Sequence, residues 1–281
     1  MTRPQLLFLG ISFGLSIALS LIIGLTGGKN SSFINLGIVA FFFPAIAVLI
    51  MNWGFDSPVF DAGWRKFSLI GLFAALFVLP IAIHLVALPV TASLNDFQLP
   101  WLEWLTPAGD GLYHTPDERG WGTLTQSGLV GRVVLNAVIG LLVVSVLAFF
   151  EEIGWRAWML PRLVQQFDIR IGILLSALIW ALWHIPFVFG GIQQIEGIPM
   201  WAMLILYPLG LFGAGIFLGW LWLHYESIWI VTLAHGSLNN WGQLAFKYMK
   251  EPSDIAGTEN LLTFTAVNLA LLLVGIFFVF R

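Results

Sequence analysis

Three short stretches of this chain carry side chains able to do chemistry, each inside an otherwise apolar run. The first is Glu151-Glu152-Ile153-Gly154-Trp155-Arg156. An ionisable group in a membrane helix costs on the order of 2.5 to 3.5 kcal/mol, so three of them together call for partners or a task. Glu152 and Arg156 stand four apart and can pair on one helix face, which reads as a buried bridge fixing the helix. Glu151 lies about 100° around the helix, beyond easy reach of the same arginine. A carboxylate left without a cation in a low-dielectric site suits a general base or acid working near neutral pH. Gly154 lets a neighbouring backbone come close.

The second stretch is Trp180-Ala181-Leu182-Trp183-His184, with His184 the only histidine of its helix. The segment between it and the first stretch is polar, Gln165-Gln166-Phe167-Asp168-Ile169-Arg170, and holds the midpoint between positions 151 and 184. In an antiparallel hairpin of equal rise, Glu151 and His184 therefore lie at one depth on opposite arms and can share one water molecule. The third stretch places His235 and Asn239 on one helix face, four apart, with small Gly236 and Ser237 between them for close packing. His235 lies about 12 Å along the helix from the polar turn 224–227, which gathers the polar residues in one half of the bilayer. His84 reads as a packing residue and His224 as an interfacial one.

A carboxylate with a histidine can hold and deprotonate water, and a histidine with an asparagine amide can donate to a developing oxyanion. That is equipment for amide hydrolysis. No serine, threonine or cysteine has the surroundings of an activated nucleophile, which favours direct attack by water. Two readings of other classes stay open: a proton or ion relay in a transporter or channel, and a catalytically silent scaffold or immunity protein. The first expects an inverted repeat or a polar path across the membrane, and the sequence shows neither.

The elements that must position these residues follow from composition. Of 281 residues 59% are hydrophobic and 10% charged, with 24 Phe and 14 Trp, and the mean hydropathy is +0.91. A soluble domain carries about 25% charged residues, so this chain reads as an all-α, polytopic membrane protein. Apolar runs of about twenty residues occur at 6–25, 34–53, 68–90, 171–189, 200–223 and 261–280. Two more, 133–163 and 228–246, are interrupted by the polar groups above, giving eight expected transmembrane helices around a polar intramembrane cavity. The first run lacks a small-residue cleavage pattern and reads as a retained helix. Residues 91–131 read as one extramembrane loop with five acidic residues, a solvated cap or a lid. No repeat, low-complexity tract or linker is evident, so residues 1–281 read as a single transmembrane domain with a catalytic core over 130–245.

With the amino terminus inside, the inner segments hold Arg3, Arg65, Lys66, Arg162, Arg170 and Arg281, and the outer ones Lys29, Arg119, Arg132, Lys247 and Lys250. The balance favours both termini in the cytoplasm by a single charge. Tryptophans such as Trp53, Trp64, Trp101, Trp104, Trp201 and Trp222 read as an aromatic belt. A net charge of −3 gives no basic footprint for nucleic acid. The absence of cysteine removes disulfides, thiol nucleophiles and thiolate metal sites. The expected partners are membrane lipid and a membrane-associated peptide or protein, and the short loops suit a prokaryotic plasma membrane.

The ordered set Glu-Glu-x-x-x-Arg, aromatic-x-x-x-His and His-x-x-x-Asn resembles the CPBP family of intramembrane proteases over residues 130–245. That family groups type II CAAX prenyl endopeptidases with bacteriocin-processing and abortive-infection (Abi) membrane proteins. Trp180 stands where phenylalanine is common, which reads as a conservative aromatic change. The resemblance implies an eight-helix bundle with a cavity open to the cytoplasmic side. It further implies that Glu151 and His184 activate water, that His235 and Asn239 stabilise the oxyanion, and that Glu152 and Arg156 support the site. Members are often labelled metalloproteases, and two histidines with a glutamate suffice for an open zinc site. There is no His-Glu-x-x-His, and the first two candidates are 33 residues apart, so spacing gives zinc no support. The preferred reading has no cofactor, with a catalytic zinc ion as the alternative.

Overall fold

A computed structural model describes residues 1–59, 63–64, 66–94, 107–114, 122–244 and 261–280. Expectations for Arg65, Trp101, Trp104, Arg119, Lys247, Lys250 and Arg281, and for most of the 91–131 loop, fall outside the described residues. The chain is an all-α polytopic membrane protein, and among the described residues seven helices are long and apolar enough to span a bilayer. These are α1 (Arg3–Leu25), α2 (Ile34–Phe55), α3 (Leu69–Leu94), α4 (Gln126–Gln166), α5 (Ile169–Phe189), α6 (Met200–Tyr225) and α8 (Leu261–Val279). The remaining expected crossing is α7 (Ile228–Asn240), 13 residues long and continued by a 3-10 turn over Trp241–Gln243. At 1.5 Å per residue α7 extends about 20 Å, short of a hydrocarbon core of about 30 Å.

Prolines explain where these helices change character. The first part of α2, Ile34–Phe42, is a 3-10 helix that becomes α-helical at Phe43 beside Pro44, where a missing N–H costs nothing. In α4 two π-helical segments, Asn136–Gly140 and Ile153–Met159, interrupt the α geometry. The second ends just before Pro161, which cannot donate to the carbonyl four residues earlier. Within α5, Pro186 imposes a step at His184, where the backbone N–H reaches Ala181 O at 3.2 Å.

Helix α4 runs 41 residues and starts at Gln126, seven positions before the expected 133. The Thr125 hydroxyl accepts from the backbone N–H of Gly128 at 3.1 Å and caps its start. Ahead of it, within the expected loop, lies a small antiparallel sheet of β1 (Pro107–Gly109), β2 (Leu112–His114) and β3 (Thr123–Thr125), in that order. Gly109, Asp110 and Gly111 all have positive φ at the first turn, the Asp-Gly signature of a tight hairpin.

The bundle is held by close approach of small residues, as membrane helices require. On α6, a Cβ added at Gly213 would lie 2.2 Å from Leu271 O of α8. A Cβ at Gly275 of α8 would return the contact, 2.4 Å from Gly213 O. Helices α4 and α5 form the expected hairpin: Asp168 caps α5 by accepting from Ile171 N at 2.9 Å, and Gly172 packs directly on Val164. Outward positions such as Leu21, Phe73, Leu85, Val146 and Leu273 are exposed aliphatic or aromatic side chains, the surface a lipid-facing bundle presents.

Candidate functional site

Helices α4, α5 and α7 bring the three polar stretches to one place. Glu151, Trp180, His184, His235 and Asn239 all line one cavity of about 270 Å³. Glu152 and Arg156 lie behind it, almost fully buried. Two glycines permit this convergence. A Cβ at Gly154 would lie 2.4 Å from Pro44 of α2, and one at Gly236 would lie 2.0 Å from Ser145 Oγ of α4. Larger residues at either point would push α2 or α7 away from the carboxylates.

The two adjacent carboxylates have different surroundings. Glu152 Oε1 accepts from Arg156 Nη1 at 2.9 Å and pairs with His235 Nδ1 at 2.7 Å, so the bridge expected between Glu152 and Arg156 is present and also grips α7. Glu151 Oε2 accepts from the indole Nε1–H of Trp180 at 2.9 Å. The π segment starting at Ile153 fits an extra residue into the turn that follows both glutamates, and so sets where Arg156 falls relative to them.

Trp180 ties the cavity wall together. Besides its bond to Glu151, its backbone carbonyl accepts from His184 Nδ1 at 2.9 Å. Its ring lies edge-on to both histidines, with centroids 5.0 Å from His184 and 5.4 Å from His235, and the Arg156 guanidinium sits 4.5 Å over its face. From the sequence, Trp180 in place of phenylalanine reads as a conservative aromatic change. The structure corrects this, since phenylalanine has no N–H to offer Glu151.

These contacts fix which imidazole nitrogens are left to work. A carbonyl accepting from His184 Nδ1 requires a hydrogen there, so in the neutral ring Nε2 carries the lone pair. His235 Nδ1 is committed to the Glu152 carboxylate, which orients the ring and balances a positive charge on it. Asn239, next along α7, borders both this cavity and a larger one of about 740 Å³. Its neighbour Asn240 is buried beside Gly140 instead. The other three histidines stand apart, His114 among them at the end of β2. His84 pairs through Nδ1 with Pro80 O at 2.8 Å, and His224 stacks on Trp220 at the end of α6.

The donor set fits a metal ion poorly. Among the described residues no group of three or more His, Asp or Glu side chains is disposed to hold one. The histidine–carboxylate pair that comes closest, Glu152 with His235, already contains the Arg156 cation, where a second positive charge meets repulsion. Gln193 and Tyr207 also border the smaller cavity and were not singled out from the sequence. Neither falls in a spaced motif, so no sequence signal marked them.

Residues 133–241 match the family described as type II CAAX prenyl endopeptidase Rce1-like, a segment that contains all six candidate residues. A curated relative, CAAX prenyl protease 2 of Methanococcus maripaludis, is 28% identical over 96 residues, which cover 33% of this chain. The matched stretch spans about a third of that relative's length, 35%.

Proposed function

We propose that this protein is an intramembrane endopeptidase that uses water, without metal, to cleave a peptide bond of a membrane-associated protein or peptide. The observation that carries the reading is one indole. Trp180 donates to Glu151 and accepts from His184, so a carboxylate and an imidazole with a free Nε2 face the same cavity. The similarity of residues 133–241 to type II CAAX prenyl endopeptidases supports peptide hydrolysis. The printed name of the curated relative makes a prenylated CAAX protein the first substrate to try.

In this mechanism Glu151 takes a proton from water while His184 Nε2 holds the other hydrogen, and the hydroxide so formed adds to the scissile carbonyl. The carbonyl π electrons move onto oxygen, and that oxyanion accepts from Asn239 and from His235 in its charged form. Glu151 then returns its proton to the leaving nitrogen as the C–N bond breaks. Glu152 and Arg156 position His235 and touch no substrate. The site works within a plasma membrane of prokaryotic type, both termini cytoplasmic. Replacement Glu151→Gln keeps an acceptor for Trp180, so it leaves folding intact and abolishes cleavage in a mass-spectrometric assay of membrane peptides. Retained cleavage overturns the role assigned to Glu151.

A further inference from the structure

The larger cavity adjoins the smaller one and shares Phe41, Gln193, Tyr207 and Asn239 with it. Its volume of about 740 Å³ exceeds that of the chamber holding Glu151 almost threefold. No described residue lining it is a carboxylate, histidine, lysine or arginine. Its polar groups are the Tyr207 hydroxyl and amides, among them Asn35, Gln193, Asn239, Gln243 and Asn268, set among apolar side chains. A charged ligand would lose its hydration there with no opposite charge to replace it. An uncharged polypeptide fits, because its N–H and C=O groups match amide side chains and its apolar residues match the walls.

Gln193 stands at the junction. Its Oε1 is buried and has no hydrogen-bond partner among the described residues, an arrangement that costs free energy unless a donor arrives. The turn that carries it is built to hold still. Phe187 O accepts from both Ile192 N at 2.9 Å and Gln193 N at 3.2 Å. Gly191, with φ of +78°, packs where a Cβ would lie 2.9 Å from Gly28 Cα, and Gly190 lies equally close to Ser20. Ile192 meets Gly37 of α2, and Lys29 pairs with Glu196 at 3.2 Å on the outside of the turn.

We propose that Gln193 anchors the substrate backbone, its side-chain amide turning into the cavity so that its carbonyl accepts from a peptide N–H of an extended, uncharged segment that runs from the larger cavity past Asn239 to Glu151. The inference rests on the protease reading and adds a residue that touches substrate outside its three motifs.

The test uses the purified full chain in detergent and an end-blocked, fluorescein-labelled hexapeptide of alternating alanine, valine and leucine. Binding is read by polarisation in the Glu151→Gln background and cleavage in the wild-type background. Removing a buried acceptor while its donor stays is expected to weaken binding and raise KM about tenfold in Gln193→Leu. kcat should change less than threefold and the melting temperature should hold. A companion peptide, with an ester in place of the anchored amide, should lose a similar factor on the wild type and nothing further on Gln193→Leu. Ester penalties equal in both proteins, an unchanged KM, or no saturable binding to Glu151→Gln overturns the anchor. A peptide that binds through Gln193 and is never cleaved leaves the anchor standing and sinks the protease reading, so the two failures are distinguishable.

Discussion

Glu151 and Glu152 are neighbours in the chain, and the structure gives them opposite sensitivities. In Glu152→Gln, the Arg156 guanidinium, 1% exposed, keeps an amide acceptor but loses the negative charge that neutralises it, and His235 loses the carboxylate on Nδ1. Breaking a buried pair from one side costs about 3 to 5 kcal/mol. The nearby Glu151 carboxylate still attracts Arg156, which places the expected cost near the lower end, about 3 kcal/mol. For a chain of this size that corresponds to roughly 6 to 12 °C in melting temperature. The double variant Glu152→Gln with Arg156→Met removes the stranded charge and should recover more than half of the loss, because replacing a buried pair outright is close to neutral. Glu151→Gln, which keeps an acceptor for Trp180, should melt within about 2 °C of wild type while cleavage falls at least about 100-fold. Thermal unfolding in detergent, followed by intrinsic tryptophan fluorescence, reads all three against activity on the same preparations. Equal destabilisation by both single variants, or a double variant no better than Glu152→Gln alone, would refute the division of labour between the two carboxylates.

Trp180→Phe keeps the aromatic contacts to both histidines and deletes the donor to Glu151. A hydrogen bond to a charged group is worth about 1.5 to 3 kcal/mol, so steady-state kinetics should show kcat/KM down at least about tenfold. Gly236→Ala puts a Cβ 2.0 Å from Ser145 Oγ and 2.9 Å from Ser145 Cα. Overpacking of this kind costs about 1 to 3 kcal/mol, and the variant should melt lower than wild type while Gly10→Ala, with nothing near its added Cβ, does not. Dialysis against 1,10-phenanthroline should leave cleavage unchanged within a factor of two. Stoichiometric zinc, found by mass spectrometry and lost together with activity, would overturn the metal-free mechanism.

What the sequence made legible was whatever depends on period and composition. Six apolar runs of about twenty residues and the interrupted stretch at 133–163 located the seven spans because lipid demands that length. The hinge near 167 was readable because polar residues interrupt two such runs, and Asp168 marks it as a helix cap. Helix α7 came out shorter than its apolar run because hydropathy does not say where backbone hydrogen bonding stops. The hairpin at Asp110-Gly111 had a signal, an Asp-Gly pair in positive φ, hidden by the loop's overall polarity.

The site was legible in part for a different reason. Spacing of four on a helix announces a shared face, so Glu152 with Arg156 and His235 with Asn239 could be grouped within their own helices. Spacing carries no information about which helix meets which. The bond from Glu152 to His235 joins positions 83 residues apart, and its existence depends on Gly236 letting α7 settle onto Ser145. The hydrogen bond from Trp180 to Glu151 depends likewise on a hairpin closing in one particular register. A one-residue slip would turn the indole about 100° from the carboxylate. Glycines at the crossing points and an indole at the centre thus do what no motif records: they convert three separate helix faces into one wall. It follows that a functional graft of the three motifs onto another bundle must carry Gly154, Gly236 and Trp180 with it. A graft of the six polar residues alone should assemble the Glu152 and Arg156 pair, which is local, and lack hydrolysis, because its Glu151 and His184 would have nothing to hold them in register.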